Sequence, residues 1–321
     1  MALTSSLEDR FRGCLLGLAV GDALGARFEA QSPDWIAQRY ASPQALIDNP
    51  PEDSLYYTDD TQMMIGVAET LADLGTIDED RLCRAFVANY MPARGYGWGA
   101  RRVLEAMEEG RDYKQVAEAT YPGGSFGNGA AMRVAPVGLF FHDQLDKVWE
   151  QARLSALPTH THPLGIEGAQ LLATAVALLV RASALDRQSF FGELLARCRS
   201  QEFRDKIGRA SRAESAEALA ALGNGIAAVD SVPTAIGCFA CYPDNFGAAV
   251  GQAVLLGGDT DTIAAMTGAL AGALLGADAI PAVWLEKLES EPGSKGRSYL
   301  EQLAGKLCEA YRVKRSSRQE D

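Results

Sequence analysis

Gly13, Gly17, Gly21 and Gly25 recur at every fourth position within a largely apolar stretch near the N-terminus. On a helix that spacing puts all four on one side, as a ridge without side chains. Each interior glycine costs a helix about 1 kcal/mol relative to alanine, so such a segment is helical only where close packing compensates. Gly268, Gly272 and Gly276 repeat the spacing within the small-residue run Ile263 to Ala277. Each ridge asks for another helix at short range. Elsewhere the apolar positions follow helical periodicity, as in Met63, Met64, Val67, Leu71 and Leu74 before Gly75. No series of alternating strands interrupts them. The expected fold is all-α: one compact orthogonal helical bundle over residues 1–312, with the charged tail 313–321 fraying. The proline-punctuated segment Gln31 to Pro51 reads as irregular.

A formal charge of −12 argues against a broad face for nucleic-acid phosphates, so no direct nucleic-acid partner is expected. A small anionic ligand would have to be held by metal ions, backbone N–H groups or helix ends. The N-terminus carries no secretory pattern. The longest apolar runs, Leu171 to Val180 and Ile263 to Ala277, fall short of the roughly 20 residues that span a membrane. Six scattered cysteines suit reduced thiols, and the expected setting is a cytoplasmic monomer. Cys238 and Cys241 have redox or zinc-ligand spacing, but without a second pair they read as buried structural thiols.

Two helix starts share an unusual chemistry. Gly257-Gly258-Asp259-Thr260-Asp261-Thr262 precedes the second glycine ridge, and Thr58-Asp59-Asp60 precedes the Met63 helix. Each is open to an N-cap reading, because unpaired N–H groups and the helix dipole favour negative charge there. Together they offer only oxygen ligands, which suit Mg²⁺ or Mn²⁺ better than zinc. If the two stretches meet, crowded carboxylates need cations to neutralise them. Asp22, inside the first ridge, and Glu29, two turns later, are further candidates. The glycine loop Tyr121 to Gly129 can cradle phosphate on backbone N–H groups, although it lacks the Gly-Lys-Ser/Thr ending of a nucleotide-triphosphate loop. His160 and His162 lie in a broken, proline-flanked segment, where ligand contact by one of them is favoured over a zinc site.

These stretches carry a resemblance. RFRGCLLGLAVGDALGARFEA, LYYTDDTQM, RGYGWG, GGSFGNGAAMRVAP, LGNGIAAVDSVPTAI and GGDTDTIAAMTGALAGA run from Arg10 to about Ala273. The chain resembles the ADP-ribosylglycohydrolase family, most closely the branch of ADP-ribosyl-acceptor hydrolase 3. The resemblance implies a centre of two Mg²⁺ ions (Mn²⁺ as a substitute), one held by Thr58, Asp59 and Asp60, the other by Asp259 and Thr262, with Asp261 bridging. Glu29 matches a mobile glutamate that gates the site and can ligate metal or position water. Gly124, Ser125, Phe126, Gly127 and Asn128 match the loop around the diphosphate and proximal ribose, and His160, Asn224, Gly225 and Ile226 match further ADP-ribose contacts. The position of Phe126 is tyrosine in these relatives, so a stacking face is kept and a hydroxyl lost; Tyr121 is a weaker match to the other adenine-stacking aromatic. His162 has no counterpart.

The implied reaction is hydrolysis of the ribose C1″ bond in ADP-ribosylated proteins and related molecules. O-linked substrates (ADP-ribosyl-serine, poly(ADP-ribose), O-acetyl-ADP-ribose) are the expected class, and Glu29 or Asp259 the base. Alternatives are an N-linked arginine substrate, a non-catalytic ADP-ribose binder, and, without the resemblance, a Mg²⁺ phosphohydrolase.

Overall fold

The computed structural model describes residues 5–291 and 293–320. It is all-α, and among the described residues the only β features are two isolated bridges, Leu55 with Leu288 and Gly127 with Ala227. The two glycine ridges pack against each other. The opening helix, Leu7–Gly25, lies along Thr260–Leu275, and both are buried along almost their whole length. A methyl group added at Gly17 would strike the Gly268 carbonyl, one at Gly13 would lie 2.6 Å from the Gly272 oxygen, and one at Gly21 would strike Ala264. At Gly25 it would come 2.6 Å from the Cα of Asp261. The ridge therefore sets more than a packing distance. It fixes the register that puts the end of the first helix beneath the start of the late one.

The remaining helices wrap this pair. Asp59–Leu74 and the last helix, Arg297–Glu320, pack near one end, and Pro163–Leu179, Ala228–Cys241 and Phe246–Leu255 cover the other faces. The last helix continues to Glu320 instead of stopping at Arg312. Its central residues Leu300, Leu303, Leu307 and Tyr311 are buried. Where the sequence reads as irregular between Gln31 and Pro51, two short helices form, Pro33–Ala37 and Pro43–Asp48. Each starts on a serine whose side chain accepts an N–H, followed by proline at the first helical position. Proline there loses no useful donor and already has the helical φ. Cys238 and Cys241 are thiols within one helix. No helix of the described residues is long and apolar enough to cross a membrane.

Candidate active site

The two acidic helix starts meet. The hydroxyl of Thr262 lies 3.5 Å from Asp60 Oδ2, which is also 3.2 Å from the hydroxyl of Thr58. Carboxylate oxygens of Glu29, Asp259 and Asp261 all fall within 4.8 Å of one another. A single cleft joins this cluster to Ser125, Gly127, Asn128, His160 and Ile226.

Neither N-cap residue caps its own helix through its side chain. At the earlier start the cap comes from another helix. Asp22, fully buried, accepts the Thr58 N–H at 2.9 Å and the Thr61 N–H at 3.0 Å, and both threonine hydroxyls donate to it, at 2.8 and 2.6 Å. With those hydroxyl hydrogens spent on Asp22, the free lone pairs of Thr58 are left to accept or ligate. At the later start Asp261 Oδ1 accepts the Thr262 N–H at 2.8 Å, while Asp259 is bound by the side-chain amide of Asn128. The threonine between them, Thr260, donates to the Gly25 carbonyl at 2.8 Å.

The paired glycines before Asp259 both have left-handed backbone, φ 67° at Gly257 and 75° at Gly258. They let the loop exchange hydrogen bonds with the segment after Glu29: Ala30 N–H to the Gly258 carbonyl at 2.8 Å, and Gly258 N–H to the Gln31 carbonyl at 3.0 Å. Ala30 has φ 61°, the one positive value at a non-glycine among the described residues. This clasp holds exposed Glu29 at the lip of the cluster.

Burial and mutual repulsion raise the pKa values of the aspartates here. Desolvation pushes Asp60 and Asp261 well above the ordinary carboxylate range, Asp59 up to about 7, and Asp22 up to about 6 despite its hydrogen bonds. Asp259 is raised too, again mainly by burial. Asp60 Oδ1 is buried and has no hydrogen-bond partner. Orphaned carboxylate oxygen, an oxygen-only donor set and crowding that disfavours ionisation all fit divalent hard cations.

The other sequence-predicted residues divide. Ser125, Gly127 and Asn128 line the cleft, as do His160 and Ile226, whereas Gly124, Asn224 and Gly225 do not. Gly124 packs against Thr161 and His162 at φ 91°, a backbone shape for which a side chain would be strained. Asn224 shapes the Gly257–Asp259 loop from behind, its carbonyl accepting the Asp259 N–H at 2.9 Å and its amide donating to Leu256 at 2.9 Å. Phe126 sits at the rim, 55% exposed, its ring edge-on to His162 at 5.8 Å. His162 itself accepts the Leu164 N–H at 3.2 Å and so caps the next helix. Tyr121 lines the cleft beside Gly99.

Three contributors escape a reading by motif. Asp22 was visible as a charge inside the glycine ridge, but its donors lie 36 and 39 residues away. Arg94 forms a two-pronged pair with buried Glu289, at 2.6 and 2.7 Å, and stacks over Tyr57 at 4.2 Å, bracing the approach to Thr58. Arg133 is buried beneath the cleft. Its one signal was an arginine within the apolar run Ala130 to Val137.

Known proteins of the same kind span the whole arrangement. The chain is 35% identical to ADP-ribosylhydrolase ARH3 of Danio rerio over 94% of its length and 90% of that protein's. It is 36% identical to ADP-ribosylhydrolase ARH3 of Homo sapiens, covering 87% of this chain and 89% of that one. ADP-ribosyl-[dinitrogen reductase] glycohydrolase of Rhodospirillum rubrum is 32% identical, over 88% and 92%. A solved structure titled ADP-ribosylglycohydrolase-related protein complex superposes with a TM-score of 0.74 at 28% identity, covering 95% of this chain and 99% of that one. The ADP-ribosylglycohydrolase family profile matches residues 3–317, and with this fold, this acidic cluster and these relatives the chain belongs to that family, on the side of its ARH3 branch.

Proposed function

We propose that the protein hydrolyses the ribose C1″ glycosidic bond of ADP-ribosylated substrates, with O-linked acceptors such as serine or a further ADP-ribose unit as its main class. The observation that carries this reading is the convergence of Asp60, Asp261, Thr262 and Glu29 at one end of a cleft whose wall is the Ser125–Asn128 loop. Thr58, Asp59 and Asp60 would hold one Mg²⁺ ion, Asp259 and Thr262 a second, and Asp261 both. Bound there, two such ions supply Lewis-acid polarisation of ribose hydroxyls and ease deprotonation of a water.

The chain's own groups divide the remaining work. Backbone N–H groups of the glycine loop bind the diphosphate without a cationic side chain, in keeping with the acidic balance of the chain. Asn128 holds Asp259 in place. Glu29 is the proton acceptor of choice, since it is exposed at the lip and no donor among the described residues occupies it, whereas Asp259 is already engaged. It takes the proton of the attacking water as the bond from C1″ to the acceptor oxygen lengthens through an oxocarbenium-like state, and a proton passes to the departing oxygen, so that the acceptor leaves as its free hydroxyl.

The test is release of ADP-ribose from serine-linked and arginine-linked peptides, with Mg²⁺ and with EDTA, for the wild type, Asp261→Asn and Glu29→Gln. We expect preferential cleavage of the serine linkage, loss of activity to background in EDTA and in Asp261→Asn, and a slow but folded Glu29→Gln. Preference for the arginine peptide would move the substrate class toward the N-linked glycohydrolases. Full activity of Asp261→Asn would sink the metal reading.

A further inference from the structure

Among the described residues lining the cleft, Arg133 is the one cation, and both of its terminal nitrogens are engaged by protein acceptors. It is 1% exposed and packs over the Phe86 ring at 4.8 Å. One terminal nitrogen donates to the Gly129 carbonyl at 3.1 Å. The other donates to the Ser155 carbonyl and to the Thr159 hydroxyl, both at 2.9 Å. The Thr159 hydroxyl in turn lies 2.7 Å from Nδ1 of His160. A hydroxyl has one hydrogen, and this one has no other acceptor among the described residues. Accepting from the guanidinium, it is left to donate to Nδ1. The imidazole proton then belongs on Nε2.

That nitrogen has no partner among the described residues. His160 is 7% exposed and lines the cleft, with Nε2 between Gly127 and Gly129, where added methyl groups would come within 3.5 and 3.2 Å of it. Burial, reinforced by the charge of Arg133, lowers the His160 pKa to about 3, so the ring is neutral.

We propose that Arg133 and Thr159 are positioning residues that fix His160 as an Nε2–H donor, so that this wall of the cleft recognises an accepting oxygen of the ligand. The identity of that oxygen, a phosphate or ribose oxygen of ADP-ribose, rests on the function proposed above; the tautomer does not. The relay also explains how an anion can be held without a facing cation: a cation's donors are passed on through a hydroxyl and a neutral ring.

The experiment is two-bond ¹H–¹⁵N correlation of the three histidines in the ligand-free protein, followed by titration with ADP-ribose. His160 should show protonated Nε2 and bare Nδ1 in the wild type and in Thr159→Ser. In Thr159→Val, which keeps the volume and leaves Arg133 its carbonyl partners, the pattern should become mixed or reversed. ADP-ribose affinity should fall about tenfold in Thr159→Val and stay within about twofold in Thr159→Ser, as expected for one hydrogen bond to a charged group. A protonated Nδ1 in the wild type would overturn the relay without need of any variant, as would a Thr159→Val protein that binds ADP-ribose as the wild type does. If the wild type binds no ADP-ribose, the proposed function fails, and the ligand-free spectrum still decides the tautomer.

Discussion

The two helix starts that build the candidate metal centre are held by opposite means. At Thr58 the backbone is fixed by polar bonds: one buried carboxylate from a distant helix collects two N–H groups and two hydroxyls. At Thr260 the approach to the first helix is fixed by absence: Gly25 has no side chain, so the late helix starts in contact with the end of the first, and a Thr260 to Gly25 hydrogen bond joins the two backbones. Polar anchoring sets direction, because donors must point at Asp22. Steric anchoring sets height and register, because backbone meets backbone. The proposed pair of ions would take ligands from both starts, and so would need both kinds of constraint.

The comparison breaks most readily at its steric half. Gly17→Val would drive a branched side chain into the Gly268 carbonyl and the Phe246 ring. Overpacking of a core costs about 1–3 kcal/mol, and an unyielding backbone obstacle puts this variant at the top of that range or beyond. Gly305, on the last helix, has nothing within 4 Å of an added methyl. Gly305→Ala should be neutral or gain up to about 1 kcal/mol. Chemical denaturation of the two variants separates a ridge that must be bare from a glycine that need not be; equal stabilities would remove the ridge as the organising contact.

Asp22→Asn tests the polar half. An amide cannot accept from all four donors, and its own NH₂ would face some of them. We expect a loss of about 2–3 kcal/mol, the cost of leaving buried donors unpaired. Mg²⁺ affinity should weaken as well, since Thr58 and Asp60 lose their common reference. Calorimetry with and without Mg²⁺ reads both effects, and unchanged metal affinity would confine Asp22 to folding.

The smallest effect is a dependence on pH that the cation should erase. In EDTA the folded state keeps protons on carboxyls whose pKa is raised, while the unfolded state releases them lower on the scale. Stability is then fully present below the ordinary carboxyl value of 3.8, declines as pH rises above it, and levels off once pH has passed about 6 to 7, the range of Asp22 and Asp59. A decline on the order of 1–2 kcal/mol should appear in thermal melts in EDTA and flatten when Mg²⁺ is added. A flat profile in EDTA would mean that the cluster is not the strained element described above.

What the sequence disclosed follows from the range of each signal. The glycine ridges, the Met63 helix and the odd chemistry of both helix starts are local patterns, and they were readable as such. That one ridge lies on the other is not local: Gly17 and Gly268 share spacing but no distinguishing mark. Asp22 illustrates the same limit, since a lone carboxylate in a small-residue stripe looks alike whether it collects four donors or none. The short helices after Gln31 were missed for a different reason, because their Ser-Pro starts are also the signs of turns. His162, unplaced by the resemblance, is accounted for by a cap and a ring contact at the rim.

The ridge pairing has a consequence for the birth of the chain. Gly13 and Gly17 await partners at Gly272 and Gly268, so the helix Leu7–Gly25 leaves the ribosome long before the helix it packs against. During that interval its glycine ridge has no native cover, and the loop to be closed runs from Gly17 to Gly268. Such a topology folds slowly and is exposed to aggregation while it waits. Ribosome-stalled fragments that end before Thr260 should therefore stay protease-sensitive at the first helix, and protection should arrive only as the late helix emerges.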